Sequence, residues 1–172
     1  MRNIIEKVDL VDSSGNICKH GVSRAKLNLY PHLHLQIVIG VVFDKNGRIL
    51  VHQRSKTKKV NPGDIDHICG GIMTGETPER AFVRESIEET GVKPLNLQIV
   101  TKGVNKYNRY RYLLIAESYD KPNSVSNSEV EWVDFIHPDE LKAKHASKQF
   151  TFVDEFFEDT QSAISKKLNK KR

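Results

Sequence analysis

Residues 70–92 read GGIMTGETPERAFVRESIEETGV, and Arg84, Glu85, Glu88 and Glu89 fall within six positions of that stretch. On a helix turning about 100° per residue, Glu88 lies about 60° to one side of Glu85 and Glu89 about 40° to the other. All three carboxylates then face one way, and like charges at that spacing oppose the helix by roughly a few tenths of a kcal/mol per pair. A cation in front of them removes the cost. Hard divalent ions take oxygen ligands, and Mg2+ keeps several waters while sharing a few carboxylates with substrate phosphates. The chemistry within reach is therefore the holding of a hard divalent cation that phosphate oxygens can share. The competing reading is a solvated acidic face balanced by Arg80 and Arg84, with one of them pairing Glu88.

These residues need a helix that begins and ends in the right place. Pro78 suits a first helical turn and Gly91 the position just past an end, so the pattern predicts a helix over about Thr77 to Thr90. Upstream, IIEKVDLV followed by DSSGN predicts a short strand and the start of a hairpin. LHLQIVIGVVF, DKNG and RILVHQR predict a second hairpin around Asn46-Gly47. IDHICGG is a short segment leading into the helix, and LNLQIVTKGV, YRYLLIAESY and VEWVDF are further strands. HPDELKAKH opens a short helix at Pro138, and Val153, Phe156, Phe157, Thr160, Ile164 and Leu168 recur at helical spacing as a core stripe. The whole predicts an α+β fold, a mixed β-sheet sandwiched between α-helices.

At 172 residues the chain fits one domain, with residues 1–30 as an N-terminal strand and hairpin extension and 150–172 as a C-terminal helix with a basic tail. Lys and Arg number 27 against 22 Asp and Glu, but the final KKLNKKR holds five of the positive charges, so the body is near neutral. Such a tail is usually a solvated end, and nucleic acid is not an expected partner. Cys18 and Cys69 form neither a CxxC pair nor a secreted framework, so free thiols in a reducing compartment are expected. No long apolar run marks an export signal or a membrane span, which makes a cytoplasmic protein the expectation. Monomer and homodimer both stay open.

From Gly70, five residues lead to Glu76, seven more to Arg84-Glu85, and Ser86-Ile87-Glu88-Glu89-Thr90-Gly91-Val92 completes the run. This resembles the Nudix box, G-x5-E-x7-R-E-U-x-E-E-x-G-U with U apolar, at every fixed position; Ser86 is the one departure, at an apolar position. The resemblance implies a loop-helix-loop that presents Mg2+ or Mn2+ to a small-molecule diphosphate substrate, with water attacking phosphorus. By that resemblance Glu85 and Glu89 are the principal metal ligands, Glu88 joins when a second ion bridges the substrate, and the Gly70 carbonyl completes a site. Arg84 orients the carboxylates, Gly70 and Gly71 let backbone approach the anion, and Glu76 at the helix entrance is read as structural. The base in such enzymes varies; Glu129 and Glu131 are candidates here, each equally well a surface residue.

The N-terminal segment and the stretch from LHLQIV to CGG also resemble the isopentenyl-diphosphate isomerase branch of Nudix proteins. In that pattern an Arg and a Lys four residues later hold diphosphate, matching Arg54 and Lys58, with Lys59 a near alternative. The isomerase cysteine falls on Cys69, and His34 aligns roughly with an isomerase metal ligand. Against it, Gly71 stands where the isomerase has a histidine, the strand meant to carry a Glu-x-Glu pair offers only Glu117, and the isomerase box is degenerate where this one is intact. Hydrolysis of a diphosphate linkage in a nucleoside diphosphate derivative is therefore the expected activity, with the isomerase and a catalytically silent binding module as alternatives. Tyr107, Tyr110, Tyr112 and Trp132 could stack a base or pack in the core.

Overall fold

The computed structural model describes residues 6–123 and 128–169. The Ile4-Ile5 start of the expected first strand and residues 170–172 of the basic tail lie outside that range. Strands β1 (Lys7–Val11) and β2 (Ile17–Ser23) form the N-terminal hairpin, followed by a 3-10 turn over Arg24–Leu29. Then come β3 (His34–Phe43), β4 (Ile49–Arg54), β5 (Ile65–Asp66), β6 (Ile68–Gly71), helix α1 (Pro78–Thr90), β7 (Leu95–Val104), β8 (Arg109–Glu117), β9 (Val130–Ile136), α2 (Pro138–Ala146) and α3 (Phe156–Asn169).

β3 is the hub. Its length pairs in parallel with β8, from Leu35 opposite Arg109 to Phe43 opposite Glu117, and it pairs antiparallel with β6 and β1. The expected β3–β4 hairpin is corrected here. The turn forms, with Asp44 accepting hydrogen bonds from the Asn46 and Arg48 amides at 2.9 and 2.8 Å, but Phe43 and Ile49 are the one pair in register. Beyond it the strands part, because both carry apolar residues on both faces and each finds other partners: β3 takes β6 and β8, and β4 takes β5 and β9.

The period-2 alternation of the strands feeds two cores. Val38, Val42, Leu50 and Leu114 pack under Ala81 and Phe82 of α1 on one side. Val41, Ile49, Val51 and Leu113 pack against Phe156 and Ala163 of α3 on the other. The mixed sheet thus lies between helices as expected. The C-terminal stripe is shorter than its spacing predicts: Val153 precedes α3, and Leu168 is exposed near its end.

Candidate active site

Helix α1 is fixed at both ends by short-range chemistry. The Thr77 hydroxyl accepts from the Arg80 amide at the N-cap, and Gly91, at φ 71°, closes the C-terminus by donating to the Ile87 carbonyl at 2.9 Å. Ser86, the departure from the apolar pattern, is fully buried and donates to the Val92 carbonyl at 2.8 Å, while Thr90 donates to the Ser86 carbonyl at 2.6 Å. A serine thus serves this position by tying the helix to the segment that leaves it.

Arg84 organises the acidic face. It grips Glu76 through Nε at 2.8 Å and Nη2 at 2.9 Å, and also reaches Glu85 at 2.7 Å, Glu88 at 3.3 Å and the Gly71 carbonyl at 2.9 Å. Glu76 further accepts from the Met73 amide at 2.9 Å, so this carboxylate fastens the glycine loop to the helix. The hydrogen bonds from Arg84 hold the Glu76 carboxyl at a pKa below the ordinary glutamate range. Glu88 sits at the exposed rim of this network, and among the described residues no group of three His, Cys, Asp or Glu side chains is placed as a ready metal cage.

Glu85 and Glu89 are the inner pair. A Cβ on Gly70 would collide with the Glu85 carboxyl group, so the absence of a side chain there is what lets this carboxylate lie against the loop. Glu89 is buried, and its nearest donor is the Cys69 amide at 3.4 Å. Burial, then the neighbouring Glu85 and Asp66 charges, push its carboxyl well above the ordinary range; burial likewise raises Glu85 against the pull of Arg84. The His52 Nδ1, fully buried and without a hydrogen-bond partner among the described residues, lies 4.0 Å from Glu89. Two desolvated, under-satisfied carboxylates beside a glycine backbone are a donor set that fits a hard divalent ion, which needs few protein oxygens when water and phosphate supply the rest. Glu85, Glu89 and the Gly70 carbonyl would hold it.

These groups line one cavity of about 860 Å³, together with Arg54, Lys58, Cys69, Gly71, Glu129, Arg24 and Arg109. The structure therefore brings the expected basic loop to the expected acidic helix, but both loop cations are engaged. Arg54 pairs with the buried Asp66 at 3.0 Å and donates to the Val60 carbonyl at 3.2 and 3.3 Å, and Lys58 pairs with Glu129 at 3.0 Å. Arg54 is therefore more than a substrate-facing cation: its side chain is 18% exposed and clamps β4 to β5. Lys59 is exposed and does not line the cavity.

Other expected residues sort by position. Glu129 faces the cavity, whereas Glu131 is occupied by the Ser55 hydroxyl and the Lys56 amide. His34 sits against the Asn108 carbonyl at 3.4 Å, and Glu117 is at the far end of β8 beside Lys167; neither lines the cavity. Tyr110 is buried against Tyr112, Trp132 packs on Phe150, and Tyr107 binds Asp154 at the surface, so these aromatics lie outside the site. Sequence reasoning missed Arg24, His52 and Arg109. Each is an isolated polar residue without a motif: the parallel β3–β8 pairing brings in Arg109, the fold-back of the N-terminal hairpin brings in Arg24, and the pairing of β4 with β5 and β9 sets His52.

An uncharacterized Nudix hydrolase of Yersinia pestis is 36% identical over 90 residues, 52% of this chain and 48% of that protein. An isopentenyl-diphosphate Delta-isomerase of Streptomyces coelicolor is 31% identical over 126 residues, 64% of this chain and 60% of the relative. The chain thus spans about half the length of these curated relatives. A crystal structure of a Deinococcus radiodurans protein shares the fold with a TM-score of 0.72 at 19% identity, covering 92% of this chain and 99% of that one. The family model described as NUDIX domain matches residues 33–156, a span that holds the acidic helix, its glycine loop and the sheet beneath them, and the chain belongs to that family.

Proposed function

We propose that the protein is a metal-dependent pyrophosphohydrolase that cleaves a diphosphate linkage in a nucleoside diphosphate derivative: a nucleoside di- or triphosphate, or a nucleoside diphosphate joined to another group. The observation that carries this reading is the placement of Glu85 against Gly70, aimed by the Arg84–Glu76 clamp, and of Glu89 at the adjacent Cys69 amide, on the wall of one large cavity. Mg2+ or Mn2+, when bound, supplies neutralisation of phosphate charge and a more acidic water. The chain's own residues do the rest. Glu85, Glu89 and the Gly70 carbonyl hold the cation, and Arg84 keeps Glu85 aimed. Lys58 and Arg24 face the diphosphate from the cavity as cationic donors. The proton of the attacking water passes to a cavity carboxylate outside the ligand pair, Glu88 or Glu129.

The isomerase reading is disfavoured by three positions. Gly71 stands where the isomerase pattern has its histidine, so that metal ligand is missing. Glu117 is remote from the cavity. Burial, with Asp66 and Glu89 nearby, pushes the Cys69 thiol well up, so it stays protonated. Incubation with Mg2+ and a panel of nucleoside di- and triphosphates, nucleotide sugars and prenyl diphosphates tests the reading. Hydrolysis of a nucleoside diphosphate derivative is expected; solvent-proton exchange into isopentenyl diphosphate without hydrolysis would replace it with the isomerase, and no turnover of any kind with the silent binding module.

A further inference from the structure

The cations of the cavity are not equivalent. Arg54, Lys58 and Arg84 are each engaged by carboxylates, and Arg24 pairs with Glu6 at 3.0 Å in an exposed contact that ligand can displace at little cost. Arg109 is different. Its side chain is half-buried and lines the cavity, and among the described residues no carboxylate pairs with it. A guanidinium that no described carboxylate meets presents a planar fork suited to phosphate or carboxylate.

The sheet register says where that fork stands relative to the scissile linkage. Arg109 is opposite Leu35 of β3, and Gly71 is opposite Ile37 on the other edge of the same strand. Leu35 and Ile37 point to one side, and both line the cavity, together with Val8 and Leu27. Two strand spacings and a stagger of two residues put the Cα atoms of Arg109 and Gly71 on the order of 12 Å apart. At the Gly71 end stand Arg24 and the Arg84 clamp; at the other end stands Arg109, with an aliphatic floor between.

Resting on the pyrophosphohydrolase reading, we propose that Arg109 is a specificity-determining residue that binds a second anionic group of the substrate. The substrate class is a diphosphate ester whose organic part lies across Leu35 and Ile37 and ends in a further phosphate monoester or carboxylate. Arg24 meets the diphosphate end.

The test uses substrates that differ in the distal phosphate alone: coenzyme A against its 3′-dephospho form, and ADP-ribose against its 2′-phosphate. Wild type should favour the phosphorylated member of a pair by at least about tenfold in kcat/KM, and Arg109→Ala should abolish that preference through KM, with Arg109→Lys restoring part of it. Equilibrium binding of the same pairs to the full chain in the presence of EDTA reads the ratio without turnover. A preference that is absent in both measurements, or that Arg109→Ala leaves in place, overturns the proposal; equal losses on both members would assign Arg109 to the diphosphate or to the fold instead. Absence of metal-dependent turnover on every compound, with the binding preference intact, would sink the hydrolase reading and leave the anion subsite standing.

Discussion

Arg84 and Glu76 form a bidentate pair, Nε to Oε1 at 2.8 Å and Nη2 to Oε2 at 2.9 Å, which joins the middle of helix α1 to the loop that precedes it. The pair sets the Glu85 carboxylate because Arg84 Nη1 reaches it at 2.7 Å from the same planar group. A lysine keeps the charge and loses the fork. Arg84→Lys should therefore lower kcat/KM by about 10- to 100-fold, the range for residues that orient ligands. Glu76→Gln should lower thermal stability by a few degrees, since a charge-assisted hydrogen bond is worth about 1.5–3 kcal/mol. Melting curves and initial rates of both variants check this; a lysine variant with wild-type kinetics would remove the positioning role.

Arg54 and Lys58 should separate. Arg54→Ala leaves Asp66 buried without its partner and should cost about 3 kcal/mol in denaturant unfolding. Lys58→Ala breaks an exposed pair and should cost less than about 0.5 kcal/mol while lowering kcat/KM at least about tenfold if the ammonium meets substrate phosphate. Unchanged kinetics for Lys58→Ala at low and physiological salt would exclude it from phosphate binding.

Asp66 also makes a pH signature. Burial raises its pKa from 3.8 to about 6, with Arg54 opposing. The folded chain thus holds the proton more tightly than the unfolded chain, so the contribution is fully present below 3.8 and is lost as pH rises through about 6. Relative to Asp66→Asn, wild type should gain about 3 kcal/mol of stability between pH 7 and pH 3.5, the shift converted at about 1.4 kcal/mol per pH unit. Paired urea titrations across that window read the difference directly; a flat difference contradicts the burial argument.

For Cys69 the two chemistries diverge. A hydrolase has no use for a protonated thiol, so Cys69→Ala should keep turnover within about tenfold, or 1.4 kcal/mol of barrier. Loss of all activity in a folded variant, together with proton exchange into isopentenyl diphosphate by wild type, would establish the isomerase.

The acidic helix was legible in the sequence because its signals are local: Pro78, Gly91 and the glutamate spacing act within a few residues of one another. The longer strands β3, β4, β7, β8 and β9 were legible as apolar or alternating runs, whereas β5 and β6, inside IDHICGG, were too short to be read as strands. What the residues did not disclose is pairing. The Asn46-Gly47 turn is a strong hairpin signal, yet β3 spends its edges on β6 and β8, and no local feature encodes a parallel partner some seventy residues away. Arg109 reaches the cavity through that pairing and Arg24 through the folded-back hairpin, so neither could be found from spacing. The engagement of Arg54 by Asp66 was hidden likewise, since it depends on β4 meeting β5.

The most direct measurement is the rate of phosphate-bond cleavage by wild type and Glu89→Gln on the best panel substrate, with Mg2+ and with excess EDTA. Glutamine keeps the shape of a buried side chain and removes its charge, so the fold should persist by circular dichroism. We expect wild-type turnover to require Mg2+, and the variant to lose at least about a hundredfold in kcat, or 2.7 kcal/mol of barrier. Wild-type activity that survives EDTA, or a Glu89→Gln variant that turns over at the wild-type rate, would contradict the assignment of this helix as the metal-holding face.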